Sequence, residues 1–424
     1  MKKGHLLTGI YILILIFLFT SYTFAARKGK EKIIIVGDKV KTRLISTKNG
    51  KKYYITELTG NPKIKFGERN LRAKKIIIRG YDSEIAEGIG NVIINDKKSK
   101  SVIRSEKAVY YKHKEMVEIL GNPSLITKRE NDNSIVQLKA EKMVYDIEND
   151  IANAYRGVFL KNNDTRIQSE RLIFERKEKK LIFFENPVMY RGEDILKGSE
   201  IVYYTDKKAL LLNGNAYAVT FNNEKDSKEG KIIKKKVITK GDRIEHYDAE
   251  EKLTIITGNA KIERDDAIFK GDRIEIIGKE SDEMTGNNVM IEYKEENMEA
   301  YGEYFKYNNK DKYSTLWGGS HIIIEDEDAY KENSKIYGSF MEYYHNIDEL
   351  YISGDVKVLH DSEIIKGDMA RYRREVKNMY ITGNSRIEKG DSVIYSDSII
   401  YNTKSRNTML NGKIKGFVSD REGF

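Results

Sequence analysis

The sequence contains no cysteine, and this absence excludes several kinds of protein at once. Disulfide bonds, thiolate zinc sites, thiol catalysis and a lipid-modified N-terminal cysteine are all impossible. Only 3 of the 424 residues are proline and 39% are apolar, so the chain is too apolar and too poor in proline for a disordered protein. The fold must therefore be held by backbone pairing and by burial of apolar side chains.

Motifs for catalysis and for nucleotide or metal binding are also missing. No pair among the six histidines has metal-ligand spacing, and no Gly-x-x-x-x-Gly-Lys loop is present. Gly-Asp pairs such as Gly241-Asp242 recur in one phase of a repeat, which indicates turn chemistry. The alternative is an enzyme whose catalytic carboxylates converge on one face from neighbouring strands. We expect no enzyme activity, no catalytic residue, no metal and no cofactor.

The first 25 residues have the features of a secretory signal peptide. Lys2 and Lys3 form the positive end, residues 6–20 form the apolar run, and Thr23-Phe24-Ala25 resembles a cleavage site. An uncleaved membrane anchor is the alternative, but the run is shorter than the roughly 20 residues that span a bilayer. We expect cleavage after Ala25 and a periplasmic mature chain, which could associate with the outer membrane.

Positive charge is only mildly in excess. The formal charge is +9, and loss of the two leader lysines leaves a smaller excess that is spread along the chain rather than clustered. Such a distribution favours an anionic partner only weakly. Because export also argues against it, we expect no nucleic-acid partner.

A repeated Gly-Asn pair organises the rest of the sequence. Twelve copies, some of them degenerate, recur at a mean spacing of about 32 residues, which is typical of repeat proteins. The complete copies are Gly60-Asn61, Gly90-Asn91, Gly121-Asn122, Gly214-Asn215, Gly258-Asn259 and Gly383-Asn384. Apolar residues lie at even offsets around each pair, which is the period of a strand with one buried face. The three prolines all follow a pair by two positions, which indicates a strand position whose N–H has no ladder partner or lies at a bend. We expect the glycine at a corner where an inward Cβ would clash.

A second pattern lies between successive pairs. A small residue and a polar or acidic residue precede alternating apolar positions that often end in Tyr, as in residues 198–203 and 367–372. Short polar turns separate the two patterns. Each repeat therefore predicts two strands and two turns, and a unit this small must stack on its neighbours. The sequence predicts one continuous, elongated all-β solenoid of about twelve repeats over residues 26–424.

One interval between pairs is longer than the others and includes residues 222–236, with Lys234-Lys235-Lys236 at its end. We expect a long, solvated hairpin loop there. A docking loop or a hinge at the midpoint of the array is the alternative. The phase of the repeat is the same on both sides, so no domain boundary is predicted.

These repeats resemble the OstA-like (LptA) family. The resemblance rests on apolar-x-apolar-x-Gly-Asn-apolar strands, each followed by a small-acidic-x-apolar-x-Tyr strand, behind a signal peptide. This family includes the periplasmic lipopolysaccharide-transport bridge protein and the N-terminal part of its outer-membrane partner. The resemblance implies a β-jellyroll open along one side, whose apolar groove shelters acyl chains. The chain has about twice the repeats of the usual bridge protein, so a longer bridge or a relative with another lipid is implied.

The fourth residue after each pair is our candidate for the groove wall. These positions are Ile64, Ile94, Leu125, Leu160, Met189, Ile262, Ile291, Ile322, Val358 and Ile387. The alternative is that they pack against each other as a closed core. We expect a non-enzymatic carrier of lipopolysaccharide or a related glycolipid between the inner and outer membranes; the alternative is an exported structural or adhesive solenoid without cargo.

The expected partners follow from the exposed strand edge at each end of such a solenoid. The resemblance implies edge-to-edge contacts with other OstA-like or jellyroll transport proteins, and head-to-tail self-association could occur. The segment from Ile33 to Asp38 looks like a degenerate first repeat and is a candidate for that contact.

Overall fold

The structure is a computed structural model. It describes residues 33–46, 52–66, 68–80, 84–97, 100–128, 134–225, 232–248, 251–265, 267–278, 282–294, 297–324, 333–360 and 362–417. Within these ranges the chain is all-β, with 36 strands and no helix, so the predicted fold class is confirmed. No helix that could cross a membrane is found among them. The expected signal peptide lies outside the described residues.

The chain divides into two compact units, residues 1–218 and 219–424. The strands of the first unit are β1 (Ile33–Val36), β2 (Lys39–Ser46), β3 (Lys52–Thr59), β4 (Lys63–Phe66), β5 (Arg69–Arg72), β6 (Lys75–Gly80), β7 (Ile85–Asp96), β8 (Ser101–Tyr111), β9 (Met116–Leu120), β10 (Ser124–Lys128), β11 (Ile135–Lys139), β12 (Lys142–Asp146), β13 (Ile151–Asn162), β14 (Thr165–Glu175), β15 (Lys180–Phe184), β16 (Val188–Arg191), β17 (Asp194–Lys197) and β18 (Glu200–Tyr204). The boundary between the units falls within β19 (Ala209–Lys225).

The second unit contains the remaining strands. They are β20 (Ile232–Asp248), β21 (Lys252–Glu263), β22 (Ala267–Ile277), β23 (Glu283–Tyr293), β24 (Met298–Asn308), β25 (Tyr313–Trp317), β26 (His321–Ile324), β27 (Ser334–Tyr337), β28 (Phe340–Tyr344), β29 (Glu349–His360), β30 (Glu363–Arg373), β31 (Asn378–Thr382), β32 (Arg386–Lys389), β33 (Ser392–Tyr395), β34 (Ser398–Asn402), β35 (Thr408–Asn411) and β36 (Lys415–Phe417).

Long strands bend once near their middle. In the first unit, the antiparallel pairing of β13 with β14 shifts register between Tyr155 and Val158. Before this bend β13 pairs with β12, and after it β13 pairs with β11. In the second unit, β29 shifts in the same way between Ser353 and Val356. Each unit therefore has two antiparallel sheets that meet along a row of corners, as in a β-jellyroll.

The Gly-Asn pairs lie at these corners, as predicted. Their backbone is left-handed, with φ of +74° at Gly383 and +49° at Asn384, a conformation that these two residue types tolerate best. The expected inward clash is wrong, because a Cβ at Gly383 would meet Asp368, which belongs to the adjacent corner, 2.6 Å from Oδ2. The N–H of Asp368 donates to Gly383 O at 2.8 Å, and Asn384 Nδ2 donates to Asp368 Oδ2 at 2.8 Å. The acidic position of the second pattern thus joins neighbouring corners.

The three prolines lie between strands, directly after bends, so the predicted bend is confirmed. Pro62, Pro123 and Pro187 precede β4, β10 and β16. A residue without an N–H is tolerated there because no ladder hydrogen bond is needed from it.

The loop expected at residues 222–236 is shorter in the structure. Strand β19 continues to Lys225 and β20 begins at Ile232, so only residues 226–231 lie outside strands and outside the described residues. The prediction failed because residues 222–225, Asn-Asn-Glu-Lys, have no apolar alternation and give no strand signal. Lys234 Nζ lies 5.0 Å from the ring centre of Phe221, a cation–π contact. The hinge at this place stays a prediction.

Candidate functional site

The predicted groove positions of the first unit belong to one continuous row of apolar side chains. In this row each residue is the direct cross-strand partner of the next, from β1 to β17. We call it the first groove ladder: Ile35, Ile64, Leu71, Ile94, Ile103, Leu125, Leu138, Leu160, Ile167, Met189 and Leu196. Direct cross-strand pairs are the closest neighbours on a sheet face, so the row forms one apolar strip.

The second unit has an equivalent row, from β20 to β33. We call it the second groove ladder: Thr239, Ile262, Phe269, Ile291, Ala300, Ile322, Ile336, Val358, Ile365, Ile387 and Ile394. Only Thr239, at one end, is polar.

The structure brings the predicted positions together within each unit, with one intervening residue between successive members. The intervening residues, such as Leu138 and Ile365, were not predicted, because groove positions were chosen only on the strand that follows each Gly-Asn pair. A signal was available, since the second strand of each hairpin also carries an apolar residue at a fixed distance from the turn.

A second apolar row lies on the other sheet of each unit. These facing ladders are Leu58, Ile76, Gly88, Ala108, Ile119, Met143, Ala154, Leu172, Phe183, Ile201 and Leu212 in the first unit, and Ile244, Ile256, Ile274, Gly286, Phe305, Leu316, Met341, Ile352, Ala370, Ile381 and Ile399 in the second. The rings of Phe269 and Phe305 lie 5.7 Å apart, so the two sheets of the second unit contact each other through these ladders.

The predicted groove residues are mostly buried between the sheets. Nine of the ten are at most 6% exposed, and Ile64 is half-buried. In this structure they form a packed apolar interior.

Opposite the corners, the strand ends form a rim that is largely polar. In the first unit the rim row lies two residues beyond the groove ladder on each strand, toward the strand end, and contains buried Asp96, Ser101, Thr127, Asn162 and Thr165. In the second unit Ser334 Oγ and Tyr401 Oη lie 3.2 Å apart, and the His360 ring packs 5.7 Å from that of Tyr401. Polar contacts therefore close part of the rim.

One stretch of the second unit is less tightly packed. A cavity of about 50 Å³ lies between the groove ladder and the facing ladder. Its apolar lining includes Ile291, Ala300 and Ile322 on one side and Phe305, Leu316 and Met341 on the other.

This cavity adjoins a polar space of about 200 Å³ at the rim, which we call the mouth. The two spaces share Tyr293, Phe305, Ser314, Tyr343 and Arg374. The mouth also has the side chains of Arg264, His345 and Asp348. It therefore combines an apolar floor with charged walls.

The acidic group of the mouth already has partners. Tyr343 Oη donates to Asp348 Oδ1 at 2.7 Å, and Arg374 Nη1 lies 3.4 Å from the same oxygen. Burial, helped by this hydrogen bond to a carboxylate, raises the pKa of Tyr343, so the phenol stays protonated. The first unit repeats this arrangement with Tyr145, Asp150 and Arg176, so it is a structural feature of the repeat.

No group of three or more acidic or histidine side chains that could hold a metal occurs in the described part of the chain. The interior has apolar surfaces and a polar rim, an arrangement suited to an amphiphilic ligand.

Two family models match the chain. The model "Lipopolysaccharide-assembly, LptC-related" matches residues 13–191, and the model "LptA/(LptD N-terminal domain) LPS transport protein" matches residues 166–282. Together the two models cover residues 13–282, and this part of the chain is similar to lipopolysaccharide-transport proteins of the OstA-like (LptA) kind. The resemblance seen in the repeats is thereby confirmed.

Among solved structures, one match is LptH from Pseudomonas aeruginosa, described as the LptA homologous periplasmic component of the conserved lipopolysaccharide transport device. Its sequence is 10% identical, the match covers 48% of this chain and 94% of LptH, and the TM-score is 0.14. No curated protein matches this OstA-like chain significantly.

Proposed function

We propose that this OstA-like chain is a non-enzymatic periplasmic carrier that shelters acyl chains of lipopolysaccharide, or of a related glycolipid, on its way between the inner and outer membranes. The observation that supports this most strongly is the uninterrupted pair of apolar ladders in each unit. A row of near-identical apolar positions offers an acyl chain a similar environment at every step.

The magnitude of the hydrophobic effect is sufficient for this role. Burial of one methylene contributes about 0.8 kcal/mol, so an acyl chain of about a dozen carbons gains on the order of 10 kcal/mol. Since the ladders are packed together, part of this gain is offset by separating them. Lipid entry therefore needs the two sheets to move apart at the rim.

The close packing of the ladders favours a second candidate, an exported structural or adhesive solenoid without cargo. Leu125, Ile262 and Val358 are fully buried, as a purely structural core would require. The matches to the two family models and the cavity beside Ile322 favour the carrier.

Photo-crosslinking in cells tests the proposal. A photoreactive residue at Ile262 or Ile322 should capture lipopolysaccharide or another glycolipid, because both side chains belong to the second groove ladder. Lys261 is the matched control, since its side chain is 30% exposed and lies next to Ile262 on the opposite face. Capture at Lys261 alone would reject the carrier.

Exposed strand edges support a role for end contacts. Ile34, Ile35 and Val36 of β1 are about half exposed, and Phe417 of β36 is 67% exposed. An open strand edge with apolar side chains readily pairs with another strand. We propose that such edges contact other OstA-like or jellyroll transport proteins, or a second copy of this chain, in the periplasm.

A further inference from the structure

Arg264 lies where the second groove ladder reaches the rim. It follows Ile262 by two residues, and its N–H donates to Ala267 O at 2.9 Å across the turn between β21 and β22. Its side-chain Nε is buried and has no hydrogen-bond partner among the residues that the structure describes. A buried, unpaired donor of a charged group is destabilising, so an anionic oxygen at this place would be strongly favoured.

The first unit contains an equivalent arginine that has its own carboxylate. Arg191 is the last residue of β16, and Arg264 directly follows the last residue of β21, so the two arginines have equivalent positions in their hairpins. Arg191 Nη2 donates to Asp194 Oδ2 at 2.8 Å across its hairpin. In the second unit the position of Asp194 is taken by Ala267. Arg264 therefore has the position of an ion-paired arginine, but the residue that faces it across the hairpin is not an acid.

Among the described acids near Arg264, Asp348 and Glu263 have other partners, and Asp265 is exposed. Asp348 accepts from Tyr343 and pairs with Arg374. Glu263 lies 3.3 Å from Lys261 Nζ and 3.8 Å from Lys294 Nζ, and Lys294 also donates to Arg264 O at 2.7 Å. Among the described residues that line the mouth, the two arginines Arg264 and Arg374 accompany a single carboxylate, Asp348.

The apolar cavity next to the mouth indicates which kind of anionic ligand would fit there. The mouth shares Tyr293, Phe305 and Tyr343 with the cavity beside Ile291 and Ile322. A ligand that fills both spaces has an acyl chain and an anionic head. The planar guanidinium matches the oxygens of a phosphate group, with two parallel hydrogen bonds.

We propose that Arg264 binds a phosphate oxygen of an acylated lipid whose chain enters the cavity between the ladders. The inference rests on the proposed carrier function and adds to it a fixed point for the head group. The second unit would then hold a phosphorylated lipid in one orientation, with its head at the mouth.

Binding of two lipids with the same chain tests this. The full chain without its predicted leader, residues 26–424, is titrated with lauroyl lysophosphatidate, with neutral monolauroylglycerol below its aggregation limit, and with inorganic phosphate. We expect Arg264→Gln to weaken binding of the phosphorylated lipid by roughly 10- to 100-fold, the loss of charge-assisted hydrogen bonds, and to change binding of the neutral lipid less than about 2-fold.

Two further variants distinguish a lost ligand contact from a disturbed fold. Ala267→Asp keeps Arg264 and places a carboxylate opposite it, as Asp194 is placed opposite Arg191. This variant should weaken binding of the phosphorylated lipid but not binding of the neutral lipid. Arg191→Gln removes an arginine that is already paired and should leave the affinities for both lipids unchanged.

Each outcome bears on a different claim. If the wild-type chain binds neither lipid, the carrier function itself is contradicted. If both lipids bind and Arg264→Gln and Ala267→Asp leave the ratio of their affinities unchanged, the head-group role of Arg264 is wrong while the carrier stands. Inorganic phosphate that binds as tightly as lysophosphatidate would also overturn the inference, because the acyl chain would then contribute nothing.

Discussion

At the scale of single residues, the corners explain why Gly-Asn recurs. Gly383 has a φ of +74°, and a Cβ there would also collide with Asp368. Gly319 has a φ of +62° but no atom within 4 Å of an added Cβ. Both glycines therefore need a left-handed backbone, but only Gly383 also lacks the space for a Cβ.

We expect Gly383→Ala to lower the free energy of unfolding by more than Gly319→Ala. Left-handed backbone costs an L-residue about 1–2 kcal/mol at either position, and only Gly383→Ala adds the collision. Urea denaturation of the two variants measures this. Equal losses would show that contact with Asp368 plays no part.

Charge pairs on the strand surfaces give a pH dependence. Lys366 Nζ lies 2.8 Å from Glu388 Oε2, and this contact, followed by that of Arg386, lowers the pKa of Glu388. A carboxylate whose pKa is lowered on folding adds stability above its unfolded pKa, and this stability is lost as the pH falls through the folded pKa. Glu388→Gln should therefore destabilise the chain at about pH 7 and have little effect near about pH 3.

Thermal unfolding of Glu388→Gln and of wild type across that range makes the measurement. Glu375→Gln is the control, because Glu375 lies on the exposed surface. A difference between Glu388→Gln and wild type that stays constant with pH would contradict the assignment.

At the scale of strands and ladders, cross-strand apolar rows hold each unit together. Leu125 is fully buried on β10 between Ile103 and Leu138, whereas Ile135, on the neighbouring β11, is 60% exposed. We expect Leu125→Ala to lower the free energy of unfolding by about 2–5 kcal/mol through cavity formation, and Ile135→Ala to have little effect. Chemical denaturation compares them. Similar losses would mean that the ladder is not the core.

The ladders also show what the sequence could predict. The period of two placed Leu125 and Ile262 on an inward face because apolar residues recur at every second position around the Gly-Asn pairs. The period cannot tell which strand pairs with which, so Leu138 and Ile365 were missed. Arg264 was missed for another reason, since its importance depends on Ala267 across the turn. The end of β19 was not predicted because residues 222–225 are polar and lack the alternation of a strand.

At the scale of the whole molecule, two units each contain a groove ladder and a facing ladder, and residues 13–282 match family models of lipopolysaccharide-transport proteins. Both units have an apolar interior between two sheets, and the mouth with Arg264 belongs to the second unit. The repeat predicted this common architecture because the same pattern continues through both halves of the sequence.

Native mass spectrometry of residues 26–424 mixed with lipopolysaccharide tests the central claim most directly. If acyl chains are what the interior shelters, the chain should gain the mass of at least one lipopolysaccharide and should gain nothing from the same molecule after removal of its acyl chains. Equal binding of the deacylated molecule, or no gain of mass with either, would contradict the account.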